Sequence, residues 1–267
     1  MSRPLAEMVS ILGRLACLDW AEPWDNVGLL LESKDQNVTK ILLTIDLTEQ
    51  VLLEAQSTKA NLIVAYHPPI FSGLKRLTRQ SAGERVVIDA IRSDIAIYSP
   101  HTALDAAPGG INDWLAQALG KGTVAPIVQL ANAPSGVGLG RMVQMESPVS
   151  LDELLHRVKQ HLGLRQLRVA ASSAHVGGQP IRRAAVCAGA GGSVFQQCAA
   201  VDLLLTGEMR HHDVLSRVSG GTTVIVTDHT HTERGYLQHM AKYLRDAAGV
   251  DLEVIVSTAD KDPLEIR

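Results

Sequence analysis

The chain has 267 residues, with 25 basic and 28 acidic side chains and a formal net charge of −3. Its apolar fraction of 46% is ample for one large domain or two compact ones, so the core needs no disulfide or metal to complete it. The balanced charge, without blocks of one sign, argues against direct nucleic-acid binding and against an anionic membrane, and it favours a small molecule or a protein as partner.

The amino-terminal stretch predicts neither a signal peptide nor a membrane span, because Glu7, Gly13 and Arg14 interrupt it before a long apolar run can form. The three cysteines show no CxxC or other zinc-ligand spacing and are expected to be reduced thiols in or near the core. These features together predict a cytoplasmic protein.

Short β-branched runs alternate along the chain with longer stretches of helical period, which predicts an α/β fold with a largely parallel sheet. Strands are predicted at 41–46, 62–65, 95–98, 202–205 and 223–227, and near 137–146, 167–171, 184–187 and 252–256. Helices are predicted near 4–17, 48–58, 84–92, 110–119, 150–162, 193–199, 208–217 and 232–246.

An internal repeat indicates that the two halves of the chain are similar. The aligned pairs are KILLTID (40–46) with RRAAVCAGAGG (182–192), NLIVAYH (61–67) with DLLLTGE (202–208), and IAIYSPHTALD (95–105) with TVIVTDHTHTE (223–233). The stretch 121–136 between them is rich in small residues and Pro. We therefore predict two similar α/β lobes, 1–125 and 135–267, related by a pseudo-twofold axis, with a metal site in the cleft between them.

His229 and Glu233 lie four residues apart at the start of a predicted helix, so one helical turn would place both within reach of one ion. A capping histidine and a solvated glutamate are the ordinary explanation of an isolated pair. His101 and Asp105 weaken that explanation because they repeat the spacing in the other half. This second pair is expected in a loop, so spacing alone does not place both side chains on one ion.

His67 directly follows a predicted buried strand and precedes two prolines, which prevent a helix from starting there. Its side chain is therefore expected at the carboxyl end of a strand, where α/β sheets bind ligands, although a core histidine bonded to a backbone carbonyl is the alternative. Asp105 is acidic in a stretch of small apolar residues, which favours a cation or a set of hydrogen bonds as its partner. His101 is either a ligand or a residue that orients one.

Neutral imidazoles with carboxylates suit zinc, iron, manganese, cobalt or nickel better than calcium or magnesium. Coordination positions left open to water are typical of catalytic metal sites.

Two further segments suggest weaker candidates. In CAGAGGS (187–193), the N–H groups of Gly189, Gly191 and Gly192 predict either an anion-binding cradle or close strand–helix packing. In TGEMRHH (206–212), His212 is a candidate general acid or base, whereas surface helix polarity explains His211.

Six motifs in this order resemble those of the Nif-three family, dinuclear-metal proteins often labelled GTP cyclohydrolase I type 2 homologues. They are PWDNVGLLLE, YHPPIF, SPHTALDAAPGGINDWLA, TGEMRHH, DHTHTERGYL and DKDPLEI. The resemblance implies a two-lobed α/β fold, dinuclear metal between the lobes and a toroidal homohexamer. It also implies that His67, Asp105, His229 and Glu233 bind metal, with Glu233 as the bridging ligand.

One position departs from the bacterial pattern of this family, which has two adjacent histidines. This chain has Tyr66 and His67 there, as members resembling the eukaryotic branch do. A neutral phenol, with a pKa near 10, is a poor metal ligand, so the prediction is one or two ions per chain.

The sequence as a whole predicts a divalent-metal-binding protein, most concretely a metal-dependent hydrolase in which Glu233 or His212 handles the proton. Its substrate would be a small molecule or a nucleotide. The alternative, which Tyr66 favours, is a non-catalytic metal carrier or a protein-interaction or regulatory factor.

Overall fold

A computed structural model describes residues 2–249 and 252–265. Its strands are β1 (Arg3–Pro4), β2 (Gly28–Leu31), β3 (Asn37–Val38), β4 (Lys40–Thr44), β5 (Leu62–Ala65), β6 (Ala96–Ser99), β7 (Gly122–Ala125), β8 (Val128–Gln129), β9 (Gly138–Leu139), β10 (Arg141–Val149), β11 (Arg168–Ala170), β12 (Ile181–Cys187), β13 (Leu203–Thr206), β14 (Thr223–Val226) and β15 (Glu253–Val256). Its helices are α1 (Leu5–Leu15), α2 (Glu49–Thr58), α3 (Ala82–Arg92), α4 (His101–Ala106), α5 (Ile111–Gln117), α6 (Leu151–Leu162), α7 (Ser173–Val176), α8 (Gly192–Phe195), α9 (His211–Ser219) and α10 (Tyr236–Ala248). None of these helices is long and apolar enough to cross a membrane.

The first compact unit consists of Met1–Leu104 and Tyr236–Arg267. Its five-stranded sheet has the order β15-β4-β5-β6-β2, and β4, β5 and β6 run parallel to one another. Every residue of β5 and β6 is buried, which explains their unbroken apolar or small-residue runs. Because these strands end at the same edge of the sheet, Asp46, His67 and His101, which follow them, lie along that edge.

The second compact unit is Asp105–Gly235. Its six-stranded sheet has the order β11-β14-β13-β12-β10-β7, and β12, β13 and β14 run parallel. Gly189, Glu208 and His229 follow these three strands and therefore also lie at one sheet edge.

The predicted α/β class is confirmed, and the aligned motifs form corresponding strands. β4, β5 and β6 of the first unit match β12, β13 and β14 of the second, and each trio has the same parallel order within its own sheet. The pseudo-twofold axis between the lobes stays a prediction.

The chain divides at different points from the predicted 1–125 and 135–267. β15 pairs in parallel with β4, and α10 packs on α1 and β15, so the carboxyl-terminal segment belongs to the first unit. β7 lies in the stretch predicted as the boundary and pairs with β10 inside the second unit. Small residues and Pro suggested a linker there, but strand pairing is a long-range property that local composition does not report.

The segment between Pro100 and Pro108 was predicted as a loop and contains the helix α4 instead. Pro100 stands just before the first helical residue, where a missing N–H costs little. His101 and Asp105, four residues apart, therefore occupy one helix, whereas the sequence predicted them in a loop where spacing alone did not place both on one ion.

One buried arginine organises the turn after α4. The Arg141 side chain is 1% exposed, and its guanidinium donates to Asp113 Oδ1 at 2.6 Å and to Asp113 Oδ2 at 3.2 Å. It also donates to the carbonyl oxygens of Ala107, Gly138 and Gly140 at 2.7–2.9 Å. These bonds satisfy a buried charge and fix the turn that follows Asp105.

Candidate metal centre

In the first unit, two histidines each present Nδ1 to a carboxylate. His67 Nδ1 lies 2.9 Å from Asp46 Oδ1, and His101 Nδ1 lies 2.8 Å from Asp25 Oδ1. Such a contact fixes the orientation of the ring and leaves Nε2 to bind, an arrangement typical of metal-binding histidines. The two imidazole centroids are 5.4 Å apart, so the histidines belong to one group.

Asp25 anchors His101 as an ionised acceptor. Its side chain is fully buried, and Oδ2 accepts hydrogen bonds from the Thr102 N–H at 3.1 Å and from the Thr102 hydroxyl. Burial raises the pKa of Asp25, but hydrogen bonds from His101 and Thr102 and the charge of His101 outweigh it and lower the pKa to about 2. At neutral pH Asp25 is therefore ionised and accepts these hydrogen bonds.

Tyr66 faces the same group as the two histidines. β5 ends at Ala65, so the alternation of strand side chains does not send Tyr66 and His67 to opposite sides. The buried Tyr66 ring lies 4.9 Å from the His67 ring and 5.4 Å from the His101 ring, measured between centroids. The residue that departs from the bacterial pattern is thus in contact with two candidate ligands.

In the second unit, His229 contacts two glutamates. His229 Nε2 lies 3.4 Å from Glu233 Oε1, and His229 Nδ1 lies 3.4 Å from Glu208 Oε2. The spacing between His229 and Glu233 is spanned by a 3₁₀ turn, Thr230–Thr232, whereas the helix predicted at 232–246 begins only at Tyr236. Glu233 is 1% exposed, so its carboxylate is held deep beside the imidazole.

Gly189, which has no side chain, leaves open space beside His229 and Glu233. A Cβ at position 189 would lie 2.9 Å from His229 Nε2 and 3.0 Å from Glu233 Oε1, and the φ of +60° is in the left-handed region. The Gly189 N–H donates to the Thr232 hydroxyl oxygen at 2.8 Å, which locks the glycine loop onto the 3₁₀ turn. The space at the two candidate ligand atoms is therefore kept open by a missing side chain.

We expect Gly189→Ala to weaken metal binding about tenfold, because its methyl group would contact both ligand atoms and its φ would be strained. Isothermal titration with manganese or zinc measures the change. Gly192→Ala is the matched control at the start of α8, since a Cβ there meets nothing within 4 Å. Equal affinities in the two variants would contradict the assigned role of Gly189.

The other glycines of this loop differ in their surroundings. Gly191 N–H donates to Thr206 Oγ1 at 3.0 Å, and a Cβ there would lie 2.8 Å from Cys187 Cβ. This favours close packing, the alternative that the sequence left open, at Gly191, and the Gly189 N–H is likewise used within the protein. Gly192 faces open space, and anion binding by the three glycines stays a prediction.

The charges of Asp105 and Glu233 both raise the pKa of the buried Cys187 thiol. Burial raises the pKa of this thiol far above its usual range, and the charges of the two carboxylates add to the effect. Cys187 is therefore a neutral thiol. Asn112 fixes the backbone nearby, because its Nδ2 donates to the Asp105 carbonyl at 3.1 Å and its Oδ1 accepts from the Ala188 N–H at 2.9 Å.

His212 occupies the exposed first turn of α9, where its ring packs against His211 with centroids 5.3 Å apart. The helix begins at His211 rather than at the predicted residue 208, because Glu208 belongs to the strand exit and contacts His229. A role of His212 as acid or base stays a prediction.

Sequence reasoning missed the two aspartates that hold the imidazoles of the first unit. Asp46 follows β4 as His67 follows β5, so the parallel pairing of these strands was the signal that pointed to it. Asp25 precedes His101 by 76 residues, and its turn sequence carries no local sign of that contact.

A family model described as Duf34/NIF3 (NGG1p interacting factor 3) matches residues 4–263. NIF3-like protein 1 of Drosophila melanogaster is 41% identical over 97% of this chain and 88% of its own length. Protein NIF3 homolog of Schizosaccharomyces pombe is 43% identical over 91% of each chain. A hypothetical protein of Staphylococcus aureus, 26% identical, superposes with a TM-score of 0.85 over 99% of each chain. The chain therefore belongs to the Duf34/NIF3 family.

Proposed function

We propose that this chain binds divalent metal and acts as a metal-dependent hydrolase on a small phosphorylated or nucleotide substrate. The proposed ligands include His67, His229 and Glu233, as the resemblance of the sequence motifs implies. Asp105 completes the ligand set that the resemblance implies, and His101 is proposed as a further ligand or as a residue that orients one. Imidazole and carboxylate donors suit zinc, iron, manganese, cobalt or nickel, with one or two ions per chain.

The observation that best supports this proposal is that three histidines each have a carboxylate oxygen next to Nδ1. His67, His101 and His229 each have Nδ1 within 2.8–3.4 Å of a carboxylate oxygen. A surface ion pair would explain one such contact, but three histidines at strand exits with the same nitrogen engaged indicate rings oriented for binding through Nε2.

The donor set also fits a catalytic rather than a structural role. Gly189 keeps the space beside His229 Nε2 and Glu233 Oε1 open, as a site that must admit a substrate requires. A bound divalent ion would polarise a substrate oxygen and lower the pKa of water. Glu233, buried beside His229, would accept the proton from the attacking water, and His212 would return a proton to the leaving group.

The hydrolase proposal is tested by turnover. Metal-loaded protein is screened against nucleotides, cyclic phosphates and simple phosphoesters, alongside Glu233→Gln and the control Glu146→Gln, which changes an exposed glutamate of the same unit. Activity that is lost in Glu233→Gln and kept in Glu146→Gln supports the proposal. Absence of turnover by metal-loaded wild type on all three substrate classes would contradict it.

A non-catalytic metal carrier or regulatory factor is the second candidate, and Tyr66 is the observation that favours it. Its phenol contacts His67 and His101, where a second imidazole would strengthen binding of a further ion. The name of the yeast relative, NGG1-interacting factor 3, describes that protein as an interaction partner. A carrier would bind metal with full occupancy and show no turnover.

We expect Tyr66→His to raise the affinity for a second ion about tenfold, because imidazole supplies a nitrogen at a position that already faces two histidines. Titrating both proteins with zinc measures the affinity and stoichiometry of each step. Tyr66→Phe, which adds no donor, is the control and should behave like wild type. Identical titrations of Tyr66→His and wild type would show that residue 66 does not reach the second ion.

We also propose a homohexameric assembly, on the resemblance of the sequence motifs alone. Light scattering tests it directly. A mass about six times 28.7 kDa supports the hexamer, and a mass near 28.7 kDa at micromolar concentration contradicts it.

A further inference from the structure

Two aromatic side chains beside His101 are exposed to solvent. Trp24 is 57% exposed and Phe71 is 53% exposed, whereas Trp114 and Phe195 are buried. The Trp24 and Phe71 ring centroids are 6.0 Å apart, and the Trp24 ring meets the His101 ring edge to face at 6.0 Å. Exposed aromatic surface that adjoins candidate metal ligands points to contact with a bound molecule.

The aromatic pair is held in place by hydrogen bonds. Asn26 Nδ2 donates to the Ile70 carbonyl and so joins the turn that carries Trp24 to the loop that carries Phe71. Asp25, the neighbour of Trp24, is fixed by its hydrogen bonds to the start of α4. The two rings are therefore presented together before a ligand arrives, which lowers the entropy cost of binding.

Positive charge lies in the same exposed stretch as Phe71. Lys75 and Arg76 are exposed, and the charge of Arg76 contributes to lowering the pKa of Glu84. Arg79 and Arg85, further along the chain, are engaged by carboxylates. Exposed cations in the same stretch as one ring of the aromatic pair are complementary to an anion that carries a planar ring.

We propose that Trp24 and Phe71 form the platform for the heteroaromatic ring of a mononucleotide. The rings are inclined by 46°, so a base would stack on one ring and pack against the edge of the other. One such pair accommodates one base rather than a strand. The proposal rests on the proposed hydrolase function, for which the platform would hold the substrate beside His101 while its phosphate meets Lys75 and Arg76.

The test compares ligands that differ only in the base. Metal-loaded protein is titrated calorimetrically with GMP, AMP and ribose 5-phosphate. Stacking on an aromatic side chain commonly contributes about 5- to 150-fold in affinity, so we expect both nucleotides to bind about tenfold or more tightly than the sugar phosphate. Trp24→Leu should bring this ratio close to one, and Trp24→Phe should retain most of it. Trp20→Leu is the control outside the pair and should keep the wild-type ratio.

The platform would be overturned if wild type bound the nucleotides and ribose 5-phosphate with nearly equal affinity. It would also be overturned if Trp24→Leu left the ratio of these affinities unchanged. The same holds if Trp24→Leu instead changes the mass measured by light scattering and leaves the ratio intact, because the patch would then be an interface between copies. Metal content is measured on the same samples. Base-dependent binding by metal-loaded protein that turns over none of the proposed substrates would refute the proposed function and leave the platform standing, whereas metal-loaded protein without base dependence would refute the platform alone.

Discussion

Arg141→Met is expected to lower the free energy of unfolding by about 3–5 kcal/mol, as loss of one partner from a buried ion pair commonly does. The guanidinium is 1% exposed and holds both oxygens of Asp113. Removing it takes away the donor to the carbonyls of Ala107, Gly138 and Gly140, and leaves Asp113 with the Gly109 N–H as a donor to Oδ2. Chemical denaturation monitored by circular dichroism measures the loss.

Arg92→Met is the control for charge alone. Arg92 is 70% exposed and lies 3.7 Å from Asp89, so its removal should change stability by less than about 0.5 kcal/mol. Arg141→Lys should lower the free energy of unfolding less than Arg141→Met does. It should still be less stable than wild type, because an ammonium cannot reproduce the bidentate contact with Asp113. A cost below about 1 kcal/mol for Arg141→Met would contradict the role assigned to this cluster.

His229→Ala is expected to weaken metal binding by more than about a hundredfold, because loss of an outer partner alone commonly costs about 10- to 100-fold and a direct ligand contributes more. Its imidazole is the group that meets Glu233 through Nε2 and Glu208 through Nδ1. Competition titration against a chelating dye measures the affinity of the folded variant.

His211→Ala is the matched control for this variant. His211 also follows a parallel strand of the second unit, but it is exposed on α9 and packs against His212. It should retain wild-type affinity. Equal losses in the two variants would remove His229 from the ligand set, and circular dichroism of both proteins separates this outcome from misfolding.

Most of the central strands of the two large sheets could be predicted, because each is a local run of apolar residues. β4, β5, β6, β13 and β14 are buried along nearly their whole length, so each is marked by its own composition. The division of the chain was not predictable in this way. β15 joins the first unit by pairing with β4, more than two hundred residues earlier, and no local pattern encodes that pairing.

The candidate site was predicted in part for the same reason. His67, His229 and Glu233 follow strands or share a short spacing, which sequence alone displays. Asp25 reaches His101 through tertiary structure, and Gly189 matters only because its Cα faces His229 and Glu233. The segment of His101 was taken for a loop because two prolines flank it, although Pro100 is compatible with a helix start.

Elemental analysis of wild-type protein purified without chelator tests the central claim most directly. Oriented imidazoles, a buried glutamate and the open space over Gly189 together predict between one and two transition-metal ions per chain. Protein that carries substantially less than one ion per chain, and that binds no zinc, iron, manganese, cobalt or nickel on titration, would contradict the account.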